Sequence, residues 1–152
     1  KDTEKSELDK AKEQIAALSD KIIRNAAEFD NYKKRTAREK EDFYKSAVCE
    51  TVAPLLPVLD NLDRAVAAAE DSGESGSVLD GVKMVKKQFE DALKSIGVEP
   101  IEAVGGQFDP EKHNAVMTAD SDEDENTVLE EFQKGYIYRD KVVRHSMVKV
   151  SN

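Results

Sequence analysis

From residue 4 to about residue 52 the chain contains neither glycine nor proline. The stretch is rich in Ala, Glu, Lys and Arg, residues that give up little side-chain freedom in a helix. Apolar and aromatic residues recur through it at alternating spacings of three and four: Leu8, Ala11, Ile15, Leu18, Ile22, Phe29, Tyr32 and Phe43. This is a heptad seam. Asn25, Thr36 and Glu39 fall on the seam where a coiled coil would place bulk. The pattern predicts one helix about 75 Å long at 1.5 Å per residue. Such a helix cannot bury its stripe against itself, and the simplest partner is a second copy of the same chain. Ile15, Leu18, Ile22 and Phe29 are the residues expected at that contact.

The sequence VAPLLPVLDNLDRAVAAAED begins a new element. Pro54 and Pro57 either break the preceding helix or sit in the first turn of the next. Leu55, Leu59, Leu62 and Val66 then share a helical face. EDSGESGS, residues 70–77, reads as a flexible loop. A third helix carries Val82, Val85 and Phe89 at helical spacing, and Gly97 suits its C-terminal end. Two helices joined by a short loop make a hairpin, and two hairpins make a four-helix bundle. The same seven residues are therefore expected at a dimer interface, independently of the long helix.

Beyond Gly97 the pattern changes. Val and Ile alternate with polar residues in TVLEEFQ and YIYRDKVVRHSMVKV, which is the strand period, and YRDK reads as a hairpin turn. The expected class is α+β: a long coiled-coil helix over residues 1–52, a helical hairpin forming a dimeric bundle over 53–97, and a small, mainly β domain over 98–152.

Composition narrows the function. Charged residues make up 36% of the 152, above the quarter usual for a compact globule, so much of the chain must stay wet. The net charge of −9 argues against nucleic acid, whose phosphates need a basic surface. No apolar run approaches the ~18 residues that would span a bilayer. Cys49 is the only cysteine, which fits a reducing compartment and leaves no internal disulfide. The chain opens on Lys1, so it is expected to be a piece of a longer protein.

QFDPEKHNAV, residues 107–116, gathers Asp109, Glu111, Lys112 and His113 like a small active site. No nucleophile motif accompanies it, and Asp109-Pro110 reads instead as a helix start with His113 facing away or packed under Phe108. DSDEDENTVLEE, from Asp120, spaces acids like a calcium loop, but Glu125 stands where the loop requires glycine. A solvated acidic hairpin loop is the expectation there. Lys33, Lys34, Arg35, Arg38 and Lys40 make a basic patch on the long helix, suited to solvent or an acidic partner. Cys49 reads as a packing residue.

FDPEKHNAV followed some twenty residues later by GYIYRDKVVRHSMVKV closely resembles the C-terminal signature of the GrpE family, nucleotide exchange factors of DnaK-type chaperones. FDNYKKRT and LLPVLDNLDRA resemble its long-helix and helix-junction segments. The resemblance implies a homodimer that binds the chaperone's ATPase domain, opens its nucleotide cleft and speeds ADP release, with no covalent chemistry and no cofactor. It implies a β domain acting as the main wedge, through Phe108 and Asp109 in a loop and through Lys141 and Arg144 near Met147. Lys141 stands where many members carry Arg. Gly81 matches a family glycine close to the chaperone, and Lys33 and Arg35 match basic stalk positions. The setting implied is the bacterial cytoplasm, with mitochondrial and plastid relatives also in the family. The competing expectations are a coiled-coil scaffold or tether, which leaves the C-terminal motif unexplained, and a small hydrolase using His113 or His145, which lacks a nucleophile.

Overall fold

The computed structural model describes residues 2–152. The run without glycine or proline forms a single helix, α1 (Asp2–Val52). The chain divides into two compact units, Lys1–Phe43 and Tyr44–Asn152. In the first unit, the described apolar residues of the seam lie open. Ile15 and Ile22 are each 67% exposed and Leu18 59%. The stripe is formed, and its described residues stay exposed. Local pairs support the helix, among them Lys34 with Asp30 at 2.8 Å and Arg35 with Glu39 at 3.5 Å, both one turn apart.

The second unit begins with the last turns of α1. The helix stops at Val52, one residue short of a single 3-10 turn, Ala53–Leu55, that contains Pro54. Pro57 then lies in the first turn of α2 (Leu56–Asp71), where its missing N–H costs no hydrogen bond. After a short loop α3 runs Ser77–Ser95. Ion pairs join the hairpin, Lys86 to Asp63 at 2.6 Å and Lys83 to Glu70 at 2.5 Å. Gly97 ends α3 with φ +86°, a conformation costly for any residue with a Cβ, and its N–H closes onto the Lys94 carbonyl at 3.0 Å.

Six strands follow: β1 (Val98–Pro100), β2 (His113–Ala119), β3 (Val128–Gln133), β4 (Tyr136–Tyr138), β5 (Lys141–Arg144) and β6 (Ser146–Ser151). They form two three-stranded sheets. One is antiparallel in the order β1-β4-β5, and in the other β6 lies between a parallel β2 and an antiparallel β3. Together with the helices, this is the α+β class expected. The first core is shared between helices and sheet: Val52, Leu56, Leu59 and Leu93 meet Val98 and Tyr136. The second lies within the other sheet, Ala103, Val128, Val148 and Val150, with Phe108 packed against it.

Three details depart from the sequence reading. Asp109-Pro110 opens a single turn that leads into β2, not a helix. The acidic segment after Ala119 is not a hairpin loop, because the strands it joins lie on opposite edges of β6. YIYRDKVVRHSMVKV supplies three strands, broken a second time at His145.

The residues expected at a hairpin–hairpin interface separate by burial. Leu59 is fully buried in the chain's own core and has no surface to offer a second copy, and Val66 is buried as well. Phe89 packs against the same core, with Leu62 and Val82 half-buried. Leu55 and Val85 remain open at 45% and 54%.

Candidate functional site

The motif at 107–113 is a tight turn pinned at both ends. On its N-terminal side, Gln107 bridges to Thr127 and the Phe108 N–H donates to the Asn126 carbonyl at 2.8 Å. The Asp109 carbonyl accepts from the N–H groups of Lys112 and His113 at 3.0 and 2.8 Å. Its side-chain Oδ1 accepts from the Glu111 N–H at 2.9 Å. Asp109 thus caps a turn, which is the role its residue type suggested, without a helix to follow. On the C-terminal side, the Ser146 N–H donates to the Lys112 carbonyl at 3.1 Å and fastens the turn to the start of β6.

His113 lies beneath this turn. It is 7% exposed, its ring centroid is 6.0 Å from that of Phe108, and its Nδ1 accepts from the Asp109 N–H at 3.1 Å. The ring proton therefore sits on Nε2, a buried atom with no hydrogen-bond partner. Burial lowers the pKa of His113, against the pull of Asp109 and Glu131. With Nδ1 already occupied and Nε2 protonated, this imidazole has no free lone pair for a general base. The hydrolase expectation fails at this atom.

Arg144 is held inside the unit. Its Nη1 and Nη2 donate to the two carboxylate oxygens of Asp60 on α2, and its Nε and Nη2 donate to the Lys134 carbonyl at 3.1 and 2.7 Å. Gln133 donates to the same Asp60 carboxylate at 2.9 Å. Burial pushes the Asp60 carboxyl up, but the hydrogen bonds from Arg144 and Gln133 outweigh it and leave its pKa lowered. Tyr136, under the Arg144 guanidinium, is pushed up to about 12 by burial.

The other expected contact residues are placed as follows. Lys141 is exposed at the start of β5, its Nζ donating to Ser46 Oγ at 2.7 Å. Beside it Lys45 pairs with Asp140 at 2.8 Å. Met147 is half-buried on β6, opposite Asn114 and Gln133. The Asp109 turn and Met147 thus lie by the start of β6, Phe108 packs against the second core with its N–H on the Asn126 carbonyl, and Arg144 is turned to α2. Gly81 lies in α3 with nothing within 4 Å of where a Cβ would stand. Lys33 and Arg35 are on α1, over the rings of Phe29 and Tyr32 at 5.2 and 5.8 Å.

Sequence reasoning passed over Asp60, Gly135 and Ser146. A Cβ on Gly135 would lie 2.5 Å from the Ser146 nitrogen, and the Gly135 N–H donates to Ser146 Oγ at 3.0 Å. The glycine in GYIY was visible as a motif letter, but its close approach to β6 was not. Among the described residues, no group of three or more His, Cys, Asp or Glu is arranged to hold a metal ion. Among the described residues, no helix is long and apolar enough to cross a membrane.

A family model described as GrpE matches residues 1–152. Protein GrpE of Clostridium tetani is 48% identical over 151 residues, covering 99% of this chain and 74% of that protein. Protein GrpE of Bacillus pumilus is 48% identical over 132 residues, covering 86% of this chain and 71% of that protein. Protein GrpE of Lachnoclostridium phytofermentans is 46% identical over 136 residues, with 89% and 61% covered. The chain therefore spans between 61% and 74% of the length of these relatives.

Proposed function

Because the chain belongs to the GrpE family, we propose that it is a co-chaperone, a nucleotide exchange factor that binds the ATPase domain of a DnaK-type chaperone, opens its cleft and accelerates ADP release. The observation that carries this reading is the whole-chain family match, joined to the motif FDPEKHNAV, which folds into a pinned turn beside β6. The factor performs no covalent chemistry. It acts by binding the open cleft more tightly than the closed, ADP-filled one. By linkage ADP then weakens the factor's binding by the same ratio, and rebinding of ATP drives the factor off.

A wedge must not yield when it presses. The two hydrogen bonds from Arg144 to Asp60 and the fastening of the turn to Ser146 support that use. In this reading Phe108, Asp109, Lys141 and Met147 form the contact, and Arg144 contributes by holding β5 to α2. Gly81 leaves room for close approach on α3, and Lys33 and Arg35 add stalk contacts. Residues 1–52 serve as a stalk pairing with a second copy, 53–97 as the dimerising hairpin and 98–152 as the chaperone-facing part. The exposed seam on α1 supports pairing. The bacterial relatives support a setting in the bacterial cytoplasm.

The test is stopped-flow release of a fluorescent ADP from a DnaK-type chaperone. Acceleration that rises with factor concentration and saturates is expected. No acceleration at micromolar factor would overturn the proposal.

A further inference from the structure

We propose that His113 is a positioning residue with a proton-sensitive hold: its neutral imidazole, accepting from the Asp109 N–H, keeps Asp109 and the turn it opens in the shape presented to the partner, and proton uptake at Nδ1 releases it. Only the identity of the partner rests on the co-chaperone reading. The hold itself belongs to this chain.

Nδ1 is the acceptor for Asp109, so the neutral ring carries its proton on Nε2. A second proton has one place to go, Nδ1, where it would confront the Asp109 N–H donor to donor. The hydrogen bond at 3.1 Å is then lost. The imidazolium's other N–H has no acceptor within the buried site. A buried charge without a partner is expelled or the structure around it opens.

The charged groups facing the ring do not remove this conflict. Asp109 and Lys112 lie on its own turn, Glu131 on β3 and His145 between β5 and β6. Glu102, after β1, lines the same 360 Å³ cavity. The Asp109 carboxylate is already engaged by the Glu111 N–H, and a Glu131 oxygen is 3.4 Å from the Gly135 N–H. The carboxylates favour the charged ring, yet burial prevails and the pKa is lowered. The neutral form is thus the native one. Its contribution is complete above the ordinary value of 6.5 and is lost as pH falls through the lower folded value.

Release should be local. The bond from Ser146 to the Lys112 carbonyl and the pairing of β2 with β6 do not involve the ring. Protonation should therefore free the Asp109 N–H and loosen its turn, while Phe108 stays bonded to the Asn126 carbonyl and the sheet beneath stays folded.

The test uses the full chain and two variants. In His113→Asn the amide oxygen stands close to where Nδ1 was and does not titrate, and in His113→Leu there is no acceptor. Amide hydrogen exchange is followed from pH 7.5 to 5. In the wild type, protection at Asp109 should fall about tenfold across this range while Val148 and Val150 stay protected. His113→Asn should hold Asp109 protection level with pH, and His113→Leu should lack it at every pH. ADP release from a DnaK-type chaperone, measured against the chaperone alone at each pH, should be accelerated less by the wild type at low pH but equally at all pH by His113→Asn. Level Asp109 protection in the wild type, or the same titration in His113→Asn, would overturn the proposal, and the wild-type titration needs no variant to fold. If the Asp109 amide titrates as stated but no protein accelerates release at any pH, the hold stands and the co-chaperone reading fails.

Discussion

Arg144 and Asp60 are joined by two parallel hydrogen bonds, Nη1 to Oδ2 at 2.7 Å and Nη2 to Oδ1 at 2.8 Å, between residues 84 positions apart. The pair fixes β5 to α2, and through the Lys134 carbonyl it also fixes the β3–β4 connection. The planar guanidinium presents two parallel N–H groups from separate nitrogens, a fork that matches the two carboxylate oxygens in a way a single ammonium nitrogen does not.

The first prediction concerns this pair. Arg144→Ala leaves the Asp60 carboxylate with Gln133 alone in a site where both side chains keep only 18% exposure. Removing one partner of a fully buried pair costs about 3–5 kcal/mol, and the residual exposure here brings the expected loss to about 2–3 kcal/mol. Arg144→Lys should recover less than half of it, because a single ammonium nitrogen cannot reproduce the fork to Asp60 and the two bonds to the Lys134 carbonyl together. The depressed Asp60 carboxyl contributes stability that is present above the ordinary carboxylate range and is lost as pH falls through its lower folded value. Urea midpoints between pH 7 and 3 check both points. The gap between wild type and Arg144→Ala should hold through mild acid, where His113 affects both proteins alike, and narrow only below about pH 4.

Gly135 gives the second. A Cβ there would overlap the Ser146 hydroxyl and stand 2.9 Å from Ile101 Cδ1, with the Ser146 backbone nitrogen behind it. Backbone cannot step aside as a flexible side chain can. Gly135→Ala should destabilise the second unit by about 2 kcal/mol or more, at the upper end of overpacking costs. Thermal melting followed by near-UV circular dichroism of the tyrosines reads it. A change in Tm below about 2 °C would show that the junction relaxes freely.

Gly81 separates folding from partner contact. Among the described residues nothing crowds its Cβ position, and it sits in the interior of α3. Gly81→Ala should therefore stabilise the helix by about 0.5–1 kcal/mol. Gly81→Gln should fold equally well but lower the exchange activity several-fold, if close approach is what the glycine permits. Equal activity of wild type and Gly81→Gln in the ADP-release assay would remove Gly81 from the contact surface.

How far the sequence was legible follows from the range of each signal. The long helix, the break at Pro54 and Pro57, and the stop at Gly97 are encoded by residues next to the event, and each is where the pattern puts it. β2 was not legible. Asp109-Pro110 has the chemistry of a helix start, and nothing local reports that HNAVMTA will lie parallel to a strand more than thirty residues away. Asp60 carried no local signal, since its partner Arg144 is 84 residues away in the chain. Leu59 carried the right spacing for an interface, but spacing tells which face is apolar, not which neighbour covers it. His113 was visible as a residue. Its tautomer depends on a backbone N–H four residues back, and only the folded turn supplies that.

The open stripe on α1 yields the final prediction. Ile15, Leu18 and Ile22 are each 59% exposed or more, and burying such side chains in a paired helix stabilises by about 1.5–3 kcal/mol apiece. Asn25, Thr36 and Glu39 lie on the same seam and would weaken a pairing of two copies along it, whereas the second unit has two apolar cores of its own. Heating should therefore melt the protein in two steps, first a loss of helix with dissociation of the stalks, then the second unit. Ile22→Glu places a carboxylate on the seam in each copy. It should lower the first transition and weaken self-association by at least tenfold, about 1.4 kcal/mol, while leaving the second transition in place. Calorimetry paired with far-UV circular dichroism reads the two steps, and sedimentation velocity reads the association. A single sharp transition carrying all of the ellipticity would show that the stalk and the second unit unfold together, against the seam as the weaker element.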